Sequence, residues 1–287
     1  MIYFISVLCM AILYIVYKAY KNTQQISVNH IAVHDKNLNK YTIWQNINVL
    51  HISDMHLENI SVSPDQLYEK LKDEKIDIIA LTGDFLDRKR SIPRLIPYLQ
   101  VLNRLNAKFG IYAVFGNHDY VLKGKHFAQL RQTLKDHGCK TLQNENDTII
   151  IDGIQMNIIG IDDYSTNHSH IPASFSGIEE GYNLVLTHDP NIVLDMEHCD
   201  FDYLLSGHFH GGQIHWPKPY HLAKMGKLVK MNKIRGLHYC HGKPFYISEG
   251  LGQTAINIRI GSRPEITLHQ LSISQTPMER NKALAAV

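Results

Sequence analysis

Five short fragments carry side chains suited to metal chemistry: Asp54-Met55-His56, Gly83-Asp84-Phe85-Leu86-Asp87, Gly116-Asn117-His118-Asp119, Thr187-His188 and Gly207-His208-Phe209-His210. Their donors are carboxylate and amide oxygens and imidazole nitrogens. No thiolate is among them, and such a set suits Mn, Fe, Zn or Ni. A carboxylate has two oxygens with spare lone pairs, so one Asp can join two ions. Two ions about 3.5–4 Å apart lower the pKa of a shared water, hold a phosphoryl oxygen and neutralise charge in an in-line displacement. Each fragment alone is a weak signal, because a lone DxH or GHxH arises more often by chance than from chemistry.

The elements that must position these residues are legible around them. From Ile47 onward, short apolar runs alternate with amphipathic stretches, the pattern of an α/β protein with strands buried on both faces. The runs INVLHIS, IDIIALT, IYAVF, LVLT and YLLS each lead directly into one of the five fragments. In open α/β sheets the functional crevice lies beyond the carboxyl ends of the strands, so five such tips can converge. Between the runs, Ser63-Pro64-Asp65-Gln66 reads as an N-cap, a Pro at the first helical position and a capping-box Gln, opening a helix to about Lys75. Helical spacing recurs over 91–106 and over 126–137, where Gly138 supplies a stop. Asp152-Gly153 predicts a tight hairpin turn, which adds antiparallel strands in the second half.

A length of 287 residues suits one large domain with a substantial core. The net charge of +2 gives no ground for a nucleic-acid partner. Histidine is abundant at 18, yet His30, His34, His168, His170 and His215 fall in no motif and read as surface or packing residues. Cys9, Cys139, Cys199 and Cys240 form no CxxC pair and read as free thiols.

Residues 2–17 carry no charge, and with the following segment they approach the ~20 residues that span a bilayer as a helix. The alternative is a cleaved secretory signal, but no basic stretch precedes the apolar run and no A-x-A site follows it. An uncleaved single-pass anchor in the cell membrane is therefore expected. Lys18 and Lys21 follow the span, which by the positive-inside tendency puts the catalytic body on the cytoplasmic side, although two lysines leave the side open. The expected organisation is an anchor at 1–21, a linker or stalk with a first edge strand at 22–45, a catalytic domain at 46–274 and a flexible tail at 275–287.

In this order, over residues 47–270, the fragments resemble the calcineurin-like metallophosphoesterase family, whose pattern is DxH, GDxxD, GNH(D/E), a lone His after a strand, and GHxH. The resemblance implies a four-layer αββα sandwich of two mixed sheets flanked by helices. It assigns Asp54, His56, Asp84 and His210 to one divalent ion, and Asp84, Asn117, His188 and His208 to a second. Asp84 is the bridge, and Asn117 ligates through its amide oxygen. The nucleophile is then a hydroxide held by the ions, with no Ser or Cys required. The resemblance sets His118 apart from the ligands and places it at the phosphate, as proton donor to the leaving group or as charge stabiliser. Asp87 is expected to orient His118, since a carboxylate on the distal ring nitrogen fixes the tautomer and favours the imidazolium. Its alternative role is a helix N-terminal carboxylate on the next segment. Arg88 matches a phosphate-contacting Arg of the protein-phosphatase branch, which is not the nearest branch; the alternative is a solvated charge. Gly83, Gly116 and Gly207 are expected to let the backbone turn sharply beside the ions.

The segments SGHFHGGQI and SEGLGQTAINIRIGSRPEITLHQL resemble a membrane-anchored bacterial subgroup that includes phosphodiesterases and enzymes cleaving a pyrophosphate in lipid precursors. Phe209 departs from the usual GHTHGGQ and is expected to leave metal binding intact while altering the pocket wall. Residues 203–248 contain no Asp or Glu but carry Lys218, Lys224, Lys227, Lys230, Lys233, Arg235 and Lys243. With Leu222, Met225, Leu228 and Met231 interleaved, the 218–235 stretch suits a basic lid that touches the membrane; the alternative is a solvated charged edge. The expected activity is hydrolysis of a lipid-linked or membrane-proximal phosphodiester or pyrophosphate. A tethered nucleotide phosphodiesterase or nuclease, or a non-catalytic metal-binding scaffold, are the competing readings.

Overall fold

The computed structural model describes residues 1–33 and 44–274. The expected tail at 275–287, part of the expected linker, and His34 lie outside the described residues.

Two six-stranded mixed sheets pack face to face. The first runs in the order β1 (Ser27–Val33), β12 (Glu265–Ser274), β2 (Trp44–Ile52), β3 (Ile78–Thr82), β4 (Ile111–Val114) and β5 (Cys139–Thr141). The second runs β10 (Gly236–Cys240), β11 (Lys243–Ile247), β9 (Tyr203–Ser206), β8 (Tyr182–Leu186), β7 (Ile154–Gly160) and β6 (Glu145–Ile151). The central strands are parallel neighbours: β2, β3 and β4 in the first sheet, β7, β8 and β9 in the second. Their near-continuous apolar sequence follows from burial on both faces. On β3, Ile79 and Leu81 face the helical side while Ile78 and Ala80 face the other sheet. On β8, Leu184 and Leu186 point between the sheets and Val185 points outward. This alternation of successive side chains is the period of two inherent to a strand.

The first sheet is backed by three amphipathic helices, α2 (Pro64–Leu71), α3 (Ile92–Arg104) and α4 (Lys125–Asp136). The capping box at α2 forms as expected: Gln66 N–H donates to Ser63 Oγ at 3.2 Å, and Ser63 N–H donates to Gln66 Oε1 at 2.8 Å. The helix stops at Leu71 rather than near Lys75, because Glu74 N–H turns back to the Leu71 carbonyl and Ile76 is drawn into the core. The β6–β7 hairpin turns on Asp152 and Gly153, both left-handed with φ of 48° and 84°.

The second sheet has a thinner cover of short helical turns, among them α5 (Ile171–Ser174), residues Pro190–Asp195 and α6 (Lys227–Lys230). Its outer face is filled by Phe209, Leu222 and Leu228, which join Ile192, Val193, Val185 and Leu204 in one apolar cluster. Leu222 and Leu228 are therefore core residues rather than a membrane-facing lid, and Met225 packs against the same cluster. Of the four interleaved apolar residues only Met231 is exposed. A sheet face without a long helix must take its apolar cover from loops.

The N-terminal helix α1 (Ile2–Asn22) is long and apolar enough to cross a membrane, and only 6% of its apolar window is buried. Among the described residues, the segment that follows it is tied to the domain. Arg259 N–H donates to the Ala19 carbonyl at 2.9 Å, Asn22 Nδ2 donates to the Arg259 carbonyl at 2.8 Å, and Thr23 Oγ1 donates to Ser61 Oγ at 2.8 Å. β1 then starts at Ser27 as the edge strand, paired in parallel with β12.

Candidate metal centre

The loops after β2, β3 and β4 meet the loops after β8 and β9 at one end of the sandwich. Asp54, His56, Asp84, His208 and His210 all have left-handed backbones, with φ of 50°, 40°, 54°, 77° and 49°. Each such residue costs about 1–2 kcal/mol, so the surroundings must hold it there. Asp54 N–H donates to the Gly83 carbonyl and His56 N–H to the Asp84 carbonyl, both at 3.0 Å. His208 N–H reaches both carboxylate oxygens of Asp54 at 3.1 Å. Of the three glycines, only Gly83 is itself left-handed, with φ of 83°. Gly116 and Gly207 serve close approach instead: a Cβ would lie 2.3 Å from Asp84 Oδ1 and 1.9 Å from Ser53 Oγ respectively.

The donors form three overlapping triplets, Asp54–His56–His210, Asp84–His188–His208 and His56–Asp84–His118, with the ligand atoms of each within 4.8 Å of one another; the first two contain the expected ligands and the third joins them to His118. In the first, His210 Nε2 lies 3.1 Å from His56 Nε2 and 3.3 Å from Asp54 Oδ1. In the second, His188 Nε2 lies 3.1 Å from Asp84 Oδ2 and 3.1 Å from His208 Nδ1. Asp84 Oδ2 is also 3.5 Å from His56 Nε2, so one carboxylate oxygen touches both of the first two triplets.

Three observations test whether these residues fit cations. The Oδ1 of Asn117 is buried and accepts no hydrogen bond, a loss a cation would make good. His188 Nδ1 is 2.8 Å from the Thr82 carbonyl, which requires a proton on Nδ1 and aims Nε2 at Asp84. Burial pushes His208 down to about 3 and His210 well below its ordinary value, so both stay in the neutral, ligating form. Burial, the largest single influence, opposes ionisation of Asp84, but the charge and hydrogen bond of His188 together with the charges of His56 and His118 overcome it and hold the carboxyl well below the usual range. The donor set fits divalent ions.

Beside the first two triplets, His118 Nδ1 meets Asp87 Oδ1 at 2.8 Å, and the same oxygen lies 3.4 Å from His56 Nδ1. Asp87 thus touches an imidazole of the first triplet as well as His118, and it is not spent on capping a helix. Burial disfavours the imidazolium of His118; its hydrogen bond to the Asp87 carboxylate and the charges of Asp84 and Asp87 overcome it and raise the group to about 9. His118 also lies near His56 and Asp84. Arg88 is exposed, and its backbone N–H, like that of Asp87, donates to the Glu58 carboxylate at 3.0 Å. Phe209 is fully buried behind the second sheet, which removes it from the pocket wall where an effect was expected.

Asp119 is a residue whose part was not evident from the motif that contains it. Fully buried, its carboxylate accepts the backbone N–H groups of Asp84 at 2.9 Å, Phe85 at 2.8 Å and Gly116 at 2.9 Å, tying the β3 loop to the β4 loop. Burial, with the charge of Asp84, pushes its carboxyl up to about 8. A cavity of about 430 Å³ opens at His208, lined by Tyr164, Asn167, Asp189, Asn191, Lys224 and Lys227. Two lysines of the basic stretch therefore do reach the vicinity of the centre.

Residues 47–212, more than half of the chain, match the calcineurin-like phosphoesterase family. The chain belongs to that family. This phosphoesterase is 61% identical to the uncharacterized metallophosphoesterase YkoQ of Bacillus subtilis, over 93% of this chain and 100% of that one. It is 26% identical to the phosphodiesterase YaeI of Escherichia coli, over 78% of this chain and 81% of the relative. It is also 26% identical to the UDP-2,3-diacylglucosamine pyrophosphatase LpxG of Chlamydia trachomatis, over 80% and 84% of the two chains. The phosphoesterase is thus an enzyme of a hydrolase family that works with divalent metals.

Proposed function

We propose that this phosphoesterase hydrolyses a phosphodiester or pyrophosphate bond in a lipid-linked or membrane-proximal substrate, using two divalent ions drawn from Mn, Fe, Zn or Ni. Asp54, His56, Asp84 and His210 hold one ion; Asp84, Asn117, His188 and His208 hold the other. When bound, such ions polarise a phosphoryl oxygen and acidify a water. The protein's own residues supply the rest. His118 is tethered through Nδ1 to Asp87, so the proton on its Nε2 is the one available to the leaving oxygen. Asp87 keeps that ring charged and oriented. Lys224 and Lys227, at the cavity beside His208, attract the negative charge of the substrate.

The observation that carries this reading is the reach of Asp84 Oδ2 to an imidazole of each triplet, 3.5 Å to His56 and 3.1 Å to His188. A carboxylate so shared is what a pair of neighbouring cations requires. Support for a substrate at the membrane comes from α1, and from a relative named for a pyrophosphate that bears acyl chains. Lys18 and Lys21 favour a cytoplasmic catalytic body.

Metal analysis of the purified protein, combined with hydrolysis of nucleotide diesters, phosphomonoesters and lipid-linked pyrophosphates, tests the proposal. Two ions per chain and fastest turnover of the lipid-linked compounds are expected. Fastest turnover of a nucleotide diester would instead favour a tethered nucleotide phosphodiesterase. Bound metal without hydrolysis of any member would leave only a scaffold.

A further inference from the structure

The polypeptide runs from His210 straight into a small platform that also receives the end of α1. Gln213, buried, clamps the segment before Arg259: its Nε2 donates to the carbonyls of Thr254 at 3.0 Å and Ile256 at 2.9 Å, and its Oε1 accepts from Thr254 N–H at 2.9 Å. Ile260 N–H donates to the Gln213 carbonyl at 2.8 Å, and His215 N–H to the Ile260 carbonyl at 2.7 Å. One residue earlier, Arg259 N–H holds the Ala19 carbonyl of α1. The buried Arg259 guanidinium then binds the carbonyls of Glu249, Gly250, Gly252 and Arg263, which secures the platform to the loop lying against Asp54.

From this platform three large apolar side chains project into the surroundings: Trp216 at 75% exposure, Tyr220 at 67% and Ile256 at 59%. Exposed Trp and Tyr are the residues that favour a membrane–water boundary, since the ring is apolar and its N–H or O–H is wet. Charge agrees with that setting. Residues 203–248 contain no acidic side chain, and Lys218 and Lys224, both exposed, lie next to the aromatic pair. Anionic headgroups attract such lysines. The apolar window of α1, only 6% buried, requires a nonaqueous cover of its own, and the hydrogen-bonded ladder ties the end of that helix to the segment bearing Ile256.

We propose that the surface bearing Trp216, Tyr220 and Ile256 sits in the headgroup layer of the bilayer that α1 enters, so that the protein grips the membrane at two joined points. The inference rests on the reading of α1 as a membrane span. Two points define an orientation where one would leave the body free to swing. Because Gly211 and Gly212 alone separate His210 from the clamp at Gln213, the orientation is passed directly to the metal centre.

The chain has two tryptophans, so Trp44→Phe leaves Trp216 as the reporter. The full-length variant in nanodiscs of phosphatidylcholine and phosphatidylglycerol should show Trp216 emission quenched by lipids brominated near the headgroup and shielded from aqueous acrylamide. The reciprocal variant Trp216→Phe should lose the lipid-quenched component, which keeps the test open if Trp44→Phe fails to fold. Emission open to acrylamide and unaffected by brominated lipid, or a lipid-quenched component that persists in Trp216→Phe, overturns the proposal. Trp216→Ser with Tyr220→Ser should leave turnover of soluble bis-p-nitrophenyl phosphate within about twofold, while turnover of a bilayer-embedded diester falls several-fold. An equal fall for both substrates counts against the platform. A wild-type chain inactive on every ester sinks the hydrolytic reading instead, and the quenching result stands apart from it.

Discussion

Behind the first sheet stand α2, α3 and α4, whereas the second sheet is covered by four-residue helices, 3₁₀ turns and loop side chains. The first half contributes Asp54, His56, Asp84, Asp87, Asn117 and His118; the second contributes His188, His208 and His210 together with the cavity-lining Lys224 and Lys227. More of the candidate site is carried where long helices back the sheet, and the cavity beside it is built where the cover is thin. Long helices hold the loops after β2, β3 and β4 in register, while loops that double as core cover can change length and charge without disturbing the opposite sheet.

That contrast can be broken most forcefully at Asp84. Asp84→Ala should strip metal and cut hydrolysis about a thousandfold or more, since it removes the oxygen that touches both of the first two triplets; metal content and kcat measured together check this. His118→Ala should retain metal while kcat falls roughly 10²- to 10⁴-fold, least with a good leaving group such as p-nitrophenolate. Loss of metal in that variant would make His118 a ligand and erase the division of labour. Asp119→Ala orphans three backbone N–H groups and should lower stability by about 2–4 kcal/mol in urea denaturation, with kcat falling alongside. On the second half, Lys224→Ala and Lys227→Ala should each raise KM a few-fold at nearly constant kcat, the signature of lost uniform binding.

The smallest effect is electrostatic. In metal-free protein, NMR titration should find the His118 ring losing its proton near about 9, and Asp87→Asn should move that step downward. The sign follows from a folded-state value above the unfolded one. The proton's contribution to stability is complete below about 6.5 and disappears as the pH rises toward about 9. Bound cations nearby oppose the charge and shift the step to lower pH.

Much of the first half was legible in the sequence because strand, turn and candidate ligand follow one another within a few residues. INVLHIS leads to Asp54 and His56, and IDIIALT leads to Asp84, with nothing intervening that could redirect them. What escaped depended on partners far away in the chain. Asp119 sat in plain view beside His118, but its role exists only because the β3 loop brings the N–H groups of Asp84 and Phe85 to it. The docking of α1 depends on Arg259, some 240 residues later, so a polar stretch that reads as a stalk is in fact tied down at its start. Leu222 and Leu228 misled for a related reason. In helical turns of four or five residues, too short to establish a period, sequence alone gives no direction for an apolar side chain, and both turn inward to cover the second sheet.

The left-handed backbones at Asp54, His56, Asp84, His208 and His210 have a consequence for the protein's lifetime. Five such positions together oppose folding by an amount comparable to the whole net stability of many domains, about 5–15 kcal/mol. A cation that binds only the folded chain tips this balance through mass action. Metal starvation should then show as shortened half-life and proteolysis of the enzyme, ahead of any simple shortfall in turnover per molecule.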